Sequence, residues 1–224
     1  MTATTRPNLL PTAAFVSLLV LVLGATALFT LYYTNTRAIA GVTRVQALDD
    51  VLIQSVRART SFKTQVQEWK NILLRGRNPA DFAAYRERFE KEESNVRETL
   101  AALGRDFPDL DYVAAPALDT APLLSEHKLL AEKYRAALAA FDPSSADSTF
   151  RVDTLARGID RKLSDELDAL AAAFEQASQA ELKALNGEFS ARYETMRRVT
   201  LIIGALAVLA SLWLVFASSR ASRA

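Results

Sequence analysis

The sequence predicts an all-α protein: an antiparallel four-helix bundle between two transmembrane helices, with bundle helices one and four continuous with the spans. Three features point there. Apolar residues recur at helical spacing through nearly the whole middle of the chain. Two long stretches, one near each end, hold no charged residue. Gly and Pro number only 7 each in 224 residues, whereas the helix formers Ala, Leu, Glu and Arg abound.

The first uncharged stretch runs between Arg6 and Arg37, and the second covers 199–219. A helix needs roughly 20 apolar residues to cross a bilayer core. Residues 9–34 and 199–217 meet that need, and Tyr32, Tyr33 and Trp213 suit interfacial positions. Ala25-Thr26-Ala27 resembles a signal-peptidase site, but the apolar run continues through Leu28, Phe29, Leu31 and Tyr33. An uncleaved signal anchor is therefore expected. Such an anchor exports the chain on its C-terminal side, which gives the division of the molecule. Residues 1–8 and 218–224 are short cytoplasmic ends, 9–34 and 199–217 are the spans, and 35–198 is a periplasmic domain at a bacterial inner membrane.

All 26 acidic residues lie in 35–198, and of the 27 Lys and Arg only Arg6, Arg220 and Arg223 lie outside it. The formal net charge of the chain is +1, so no basic footprint for nucleic acid exists. Arg220 and Arg223 can meet anionic lipid, since the bilayer is itself a partner. Zero Cys excludes disulfides, thiolate metal sites and a Cys nucleophile. One His excludes a multi-His metal site within the chain. No Gly-rich phosphate loop, nucleophile elbow or cofactor motif occurs, so neither an enzyme nor a resident cofactor is expected.

The first bundle helix carries Val45, Leu48, Leu52, Val56, Phe62, Val66, Trp69 and Leu73, and closes at Arg75-Gly76 with Gly76 read as a C′ glycine. Asn78-Pro79 restarts the chain as N-cap and first helical residue. The second helix carries Phe82, Tyr85, Phe89, Val96, Leu100 and Leu103 and ends near Gly104 and Pro108. The third carries Leu123, His127, Leu130, Tyr134, Leu138 and Phe141. Asp142-Pro143 is read as the next cap and start. The fourth carries Phe150, Leu163, Leu167, Leu170, Phe174, Leu185, Phe189 and Met196, then runs into the second span. At about 1.5 Å per residue, helix one from 36 to 75 spans roughly 60 Å and helix two about 40 Å. The membrane-near halves of helices one and four thus need another partner, and a second copy is the simplest.

Counting inward from the turns puts Lys63 level with Glu92, residue 128 and residue 160. Glu92 and Glu93 interrupt the stripe of helix two, His127 sits in the stripe of helix three, and helix four offers Asp153, Arg157, Asp160 and Arg161. Gly158 is read as a place where another backbone approaches. One reading is a structural polar layer that fixes register. The other is a ligand pocket in which Arg and Lys meet carboxylates or phosphates and Trp69 forms an apolar wall. No metal site is expected, and His127 is read as a satisfied, partly buried side chain. The run Arg86-Glu87-Arg88-Phe89-Glu90-Lys91-Glu92-Glu93 is read mostly as a solvated helix face.

The string Phe62-Lys63-Thr64-Gln65-Val66-Gln67-Glu68-Trp69-Lys70-Asn71-Ile72-Leu73-Leu74-Arg75-Gly76 is long and specific. It resembles the first-helix signature of proteobacterial methyl-accepting chemotaxis receptors with four-helix-bundle periplasmic sensor domains. Tyr85 to Glu93 with Val96 resembles the same pattern. So do His127, Leu130, Tyr134 and Ala137-Leu138 before Phe141-Asp142, and Val152-Asp153 before Arg157-Gly158-Ile159-Asp160-Arg161. The resemblance implies a two-span periplasmic sensor, dimeric, whose fourth helix passes a ligand-dependent shift inward. Residues 218–224 carry no HAMP linker, methylation helix or kinase-contact tip. The expectation is therefore a sensor module that acts through a partner, such as a heterodimer with a full-length receptor, or a truncated receptor. The competing expectation is a scaffolding membrane protein with no small-molecule ligand.

Overall fold

The computed structural model describes residues 10–107 and 117–221. The expected helix end at Pro108 and the terminal Arg6 and Arg223 lie outside these residues. The described residues form five helices and no strand. They are α1 (Leu10–Arg75), α2 (Pro79–Asp106), α3 (Ala121–Leu138), α4 (Ser148–Ala156) and α5 (Arg161–Ala221). The chain divides into two compact units, Arg44–Leu182 and the pair Met1–Thr43 with Lys183–Ala224.

In the first unit a single cluster of buried side chains draws on all five helices. Leu48, Phe62 and Ile72 come from α1, Phe89, Val96 and Leu100 from α2, and Leu130 and Tyr134 from α3. Val152 comes from α4, and Leu163, Leu167 and Phe174 from α5. Each such side chain contributes about 1.5–3 kcal/mol by leaving water. The 3.6-residue period of the sequence is what aims these positions at one another. α2 starts as the sequence requires: Asn78 Oδ1 accepts from the Ala80 N–H at 2.9 Å, with Pro79 behind it.

Two turns differ from expectation. Asp142 does not start a helix. Its Oδ1 accepts from the Ser144 N–H at 2.9 Å and the Ser144 hydroxyl at 2.7 Å, a local turn that competes with a helical start. α4 begins only at Ser148. Gly76 lacks the positive φ of a C′ glycine, since Gly158 alone adopts one among the described residues. Its small size matters instead, because a Cβ there would collide with the Ile72 carbonyl oxygen and lie 3.0 Å from the Phe82 ring.

The expected fourth helix is two helices. Gly158 has φ +75°, a left-handed conformation that disfavours any side chain and breaks the chain between Ala156 and Arg161. The glycine is needed for that conformation rather than for backbone approach. Phe150, expected in the apolar stripe, is 69% exposed on α4. The break also shifts register. Thr149 Oγ1 donates to the Leu73 carbonyl, whereas Ser178 Oγ donates to Asp49 Oδ1. From Leu73 to Asp49 α1 advances 24 residues, while the facing chain advances 29 from Thr149 to Ser178. The turn absorbs the extra five.

The second unit pairs the first part of α1 with the last part of α5. Arg37 and Arg192 both lie over the Tyr33 ring, at 5.6 Å and 5.2 Å from its centroid. Among the described residues, α5 contains a stretch long and apolar enough to cross a membrane, and none of that stretch is buried. Leu201, Ile202, Leu206, Leu209, Leu212 and Trp213 are exposed along it. Leu21, Leu28, Phe29 and Leu31 of α1 are exposed as well. A contiguous apolar surface of this kind marks contact with a membrane or another protein.

Candidate functional site

A cleft of about 580 Å³ opens between α2 and α3. α2 supplies Glu93 and Arg97, while α3 supplies Leu124, Ser125, His127, Lys128, Ala131, Glu132 and Arg135. Leu124, Lys128, Ala131 and Arg135 stand four, three and four residues apart, so one face of α3 forms the wall. Charged side chains sit on this face because it borders water; Leu130 and Tyr134, one position over, enter the core.

His127 is 3% exposed, and its Nε2 lies 3.0 Å from Gln65 Oε1 on α1. Gln65 is fully buried, and its Nε2 has no hydrogen-bond partner. Burial lowers the His127 pKa to about 4, assisted by the positive charges of Arg97 and Arg135. His127 is thus neutral at pH 7. With Gln65 Oε1 as acceptor, Nε2 carries the imidazole proton.

The Glu93 side chain is 9% exposed, and its Oε1 pairs with Arg135. Its Oε2 is buried without a partner. Arg97 donates to Ser94 Oγ at 2.9 Å. Neither Arg97 nor Lys128 joins an ion pair among the described residues.

Behind the cleft, Tyr134 packs against Trp69, with ring centroids 4.5 Å apart and the rings tilted by 45°, and meets Phe89 edge-on at 5.6 Å. The Asp160 carboxylate lies near the Tyr134 hydroxyl, and burial, reinforced by that carboxylate, pushes the Tyr134 pKa upward. Asp160 accepts from the Ser164 N–H at 3.0 Å through its carbonyl, so it caps the start of α5. A second tie joins Glu126 of α3 to Lys162 of α5. That hydrogen bond raises the Lys162 pKa.

Of the residues singled out from sequence, Glu93 and His127 meet in the cleft. Trp69 and Asp160 lie against Tyr134, which is buried in the core and does not line the cleft. The other five are elsewhere. Around Lys63, Phe62 and Gln65 both meet His127, so α1 keeps its expected level with α3, but on the last helix Lys63 pairs with Asp168 at 2.9 Å rather than standing opposite residue 160, because the turn at Gly158 shifts that helix. Glu92 accepts from Asn95 at 3.1 Å. Asp153 and Arg157 pair with each other along one helix face. Arg161 is exposed beside Gly158. Sequence reasoning misses Gln65, Arg97, Lys128, Tyr134 and Arg135 as site residues. The spacing of Lys128, Ala131 and Arg135 beside His127 is the signal that could find them. No group of acidic and His side chains suited to hold a metal occurs among the described residues.

The chain is 35% identical to the methyl-accepting chemotaxis protein CtpH of Pseudomonas aeruginosa over 161 residues. That alignment covers 70% of this chain and 27% of the chemotaxis protein, so the chain spans about a quarter of its relative. The sequence is chemoreceptor-like over this region. No family model matches the chain. No solved structure matches it.

Proposed function

We propose that this chain is a membrane-anchored sensor module. Residues 9–34 and 199–217 span the inner membrane, and the helices between them form a periplasmic bundle that binds a small molecule in the α2–α3 cleft. A second copy, or a full-length receptor, completes the membrane-near part of the bundle. The observation that carries this reading is the position of α3. One of its faces forms the cleft wall, and two others hold the start of α5 through Tyr134–Asp160 and Glu126–Lys162. The chemoreceptor-like sequence supports the reading. An occupant that pulls α3 toward α2 shifts these two ties, and α5 runs unbroken from there to Ala221.

The topology is testable because the chain has no Cys. Single substitutions Ser144→Cys and Ser219→Cys are labelled with a membrane-impermeant maleimide in intact spheroplasts. The expected result is labelling at residue 144 without permeabilisation and at residue 219 only after it. The reverse pattern, or labelling of neither before lysis, would sink the periplasmic sensor reading.

A further inference from the structure

Resting on the sensor reading above, we propose that the α2–α3 cleft takes a small zwitterion, its carboxylate held by Arg97 and Lys128 and its ammonium by Glu93.

The strongest pointer is Glu93. Its side chain is nine-tenths buried in the cleft wall, Arg135 takes one carboxylate oxygen, and the other has no partner. Buried carboxylate oxygens are normally hydrogen-bonded, and leaving one unmatched is costly. An N–H donor entering the cleft supplies what the protein leaves unmade. A cationic donor does so best, because charge-assisted hydrogen bonds are the stronger kind.

The second pointer is independent. Arg97 on α2 and Lys128 on α3 stand on the two walls, each without an ion-pair partner among the described residues. Two unpaired cations on facing helices attract an anion that bridges them, and guanidinium suits a carboxylate. The bridge also draws the two helices together.

The two features together select the class. A plain anion satisfies Arg97 and Lys128 but leaves the Glu93 oxygen unmatched and adds a second negative charge beside it. A plain amine satisfies Glu93 and finds a second carboxylate in the exposed Glu132, but meets the two cations and leaves them without an anion. A zwitterion answers both. Neutral His127 adds no third positive charge to the floor. Leu124 and Ala131 leave an apolar stretch of wall for a small side chain. The volume, about 580 Å³, suits a ligand of amino-acid to dipeptide size.

The test uses the full chain in lipid nanodiscs and follows the thermal melt with named probes. L-Alanine, L-glutamate and L-arginine are the zwitterions. Succinate offers carboxylates without an amine, putrescine offers amines without a carboxylate, and inorganic phosphate is a bare oxyanion. At millimolar concentration at least one zwitterion is expected to raise the melting temperature by mass action. Succinate and putrescine are expected not to. Arg97→Gln and Lys128→Gln, both at exposed positions, should each weaken that binding by 10-fold or more while the ligand-free melt stays unchanged. Glu93→Gln keeps an acceptor for Arg135 and should weaken it similarly.

Binding of succinate or phosphate that depends on Arg97 and Lys128 but is unaltered in Glu93→Gln would overturn the zwitterion while leaving the sensor standing. Absence of a shift with every zwitterion would overturn it too. The sensor reading fails separately, through the maleimide topology at residues 144 and 219.

Discussion

Trp69→Ala is expected to destabilise the helical unit by about 3–5 kcal/mol, the range for deleting a large buried aromatic side chain. Trp69 is 4% exposed and packs against Tyr134 and Phe89 at 4.5 and 6.0 Å between ring centroids. Removing the indole strips both rings of their neighbour at the point where α1, α2 and α3 meet. The surrounding backbone is helical on all three sides and can collapse only partly into the space. Phe150→Ala is the matched control. Phe150 is 69% exposed, so the loss there should stay within about 0.5 kcal/mol. Thermal melts of the full chain by circular dichroism, run side by side, measure the contrast. Equal losses would mean that the core is misplaced.

Acidification is expected to act chiefly through His127. Its folded pKa is lowered to about 4, against an ordinary value of 6.5. Between these values the unfolded chain binds a proton that the folded chain refuses. Stability is therefore full above about pH 6.5 and falls as the pH drops toward 4. The loss attributable to this residue approaches about 3 kcal/mol at the bottom of that window. His127→Gln cannot titrate and should flatten this part of the profile, with wild type and variant keeping a constant difference from pH 7 upward. Denaturant midpoints taken at half-unit steps from pH 4 to 8 check this. A wild-type slope that survives in His127→Gln would assign the acid sensitivity to carboxylates instead.

Much of the helical architecture is legible because it depends on short-range rules. Asn78-Pro79 is a cap in the sequence and in the structure, and Leu48, Phe62, Trp69, Phe89, Leu100, Tyr134 and Phe174 fall in the core their spacing assigns them. Sequence and structure part where a local preference is spent differently. Asp142 has the chemistry of a helix cap, but its carboxylate finds Ser144 first. Gly158 stands out for its lack of a side chain, yet its importance lies in the sign of φ, which composition does not display. That turn explains why counting from the loops puts Lys63 opposite residue 160 on the last helix, whereas its partner there is Asp168.

The candidate site is half legible for a related reason. Glu93 and His127 stand out as polar residues interrupting apolar stripes, which is a one-dimensional signal. Arg97, Lys128 and Arg135 follow the ordinary polar pattern of an exposed helix face. Only the approach of α2 to α3 turns them into the walls of a cleft. Gln65 is in plain view within the most distinctive string of the sequence, but its partner is 62 residues away.

The central claim is that the position of α3 against α2 governs the start of α5. Since the chain has no Cys, Arg97→Cys and Lys128→Cys can be joined by a short bifunctional maleimide that holds the two cleft walls together. Hydrogen exchange is then compared between the linked and unlinked protein. The account predicts a several-fold change at residues 158–166, where Asp160 and Lys162 are tied to α3, as well as in the linked helices. A change confined to α2 and α3, with 158–166 unaltered, would contradict it.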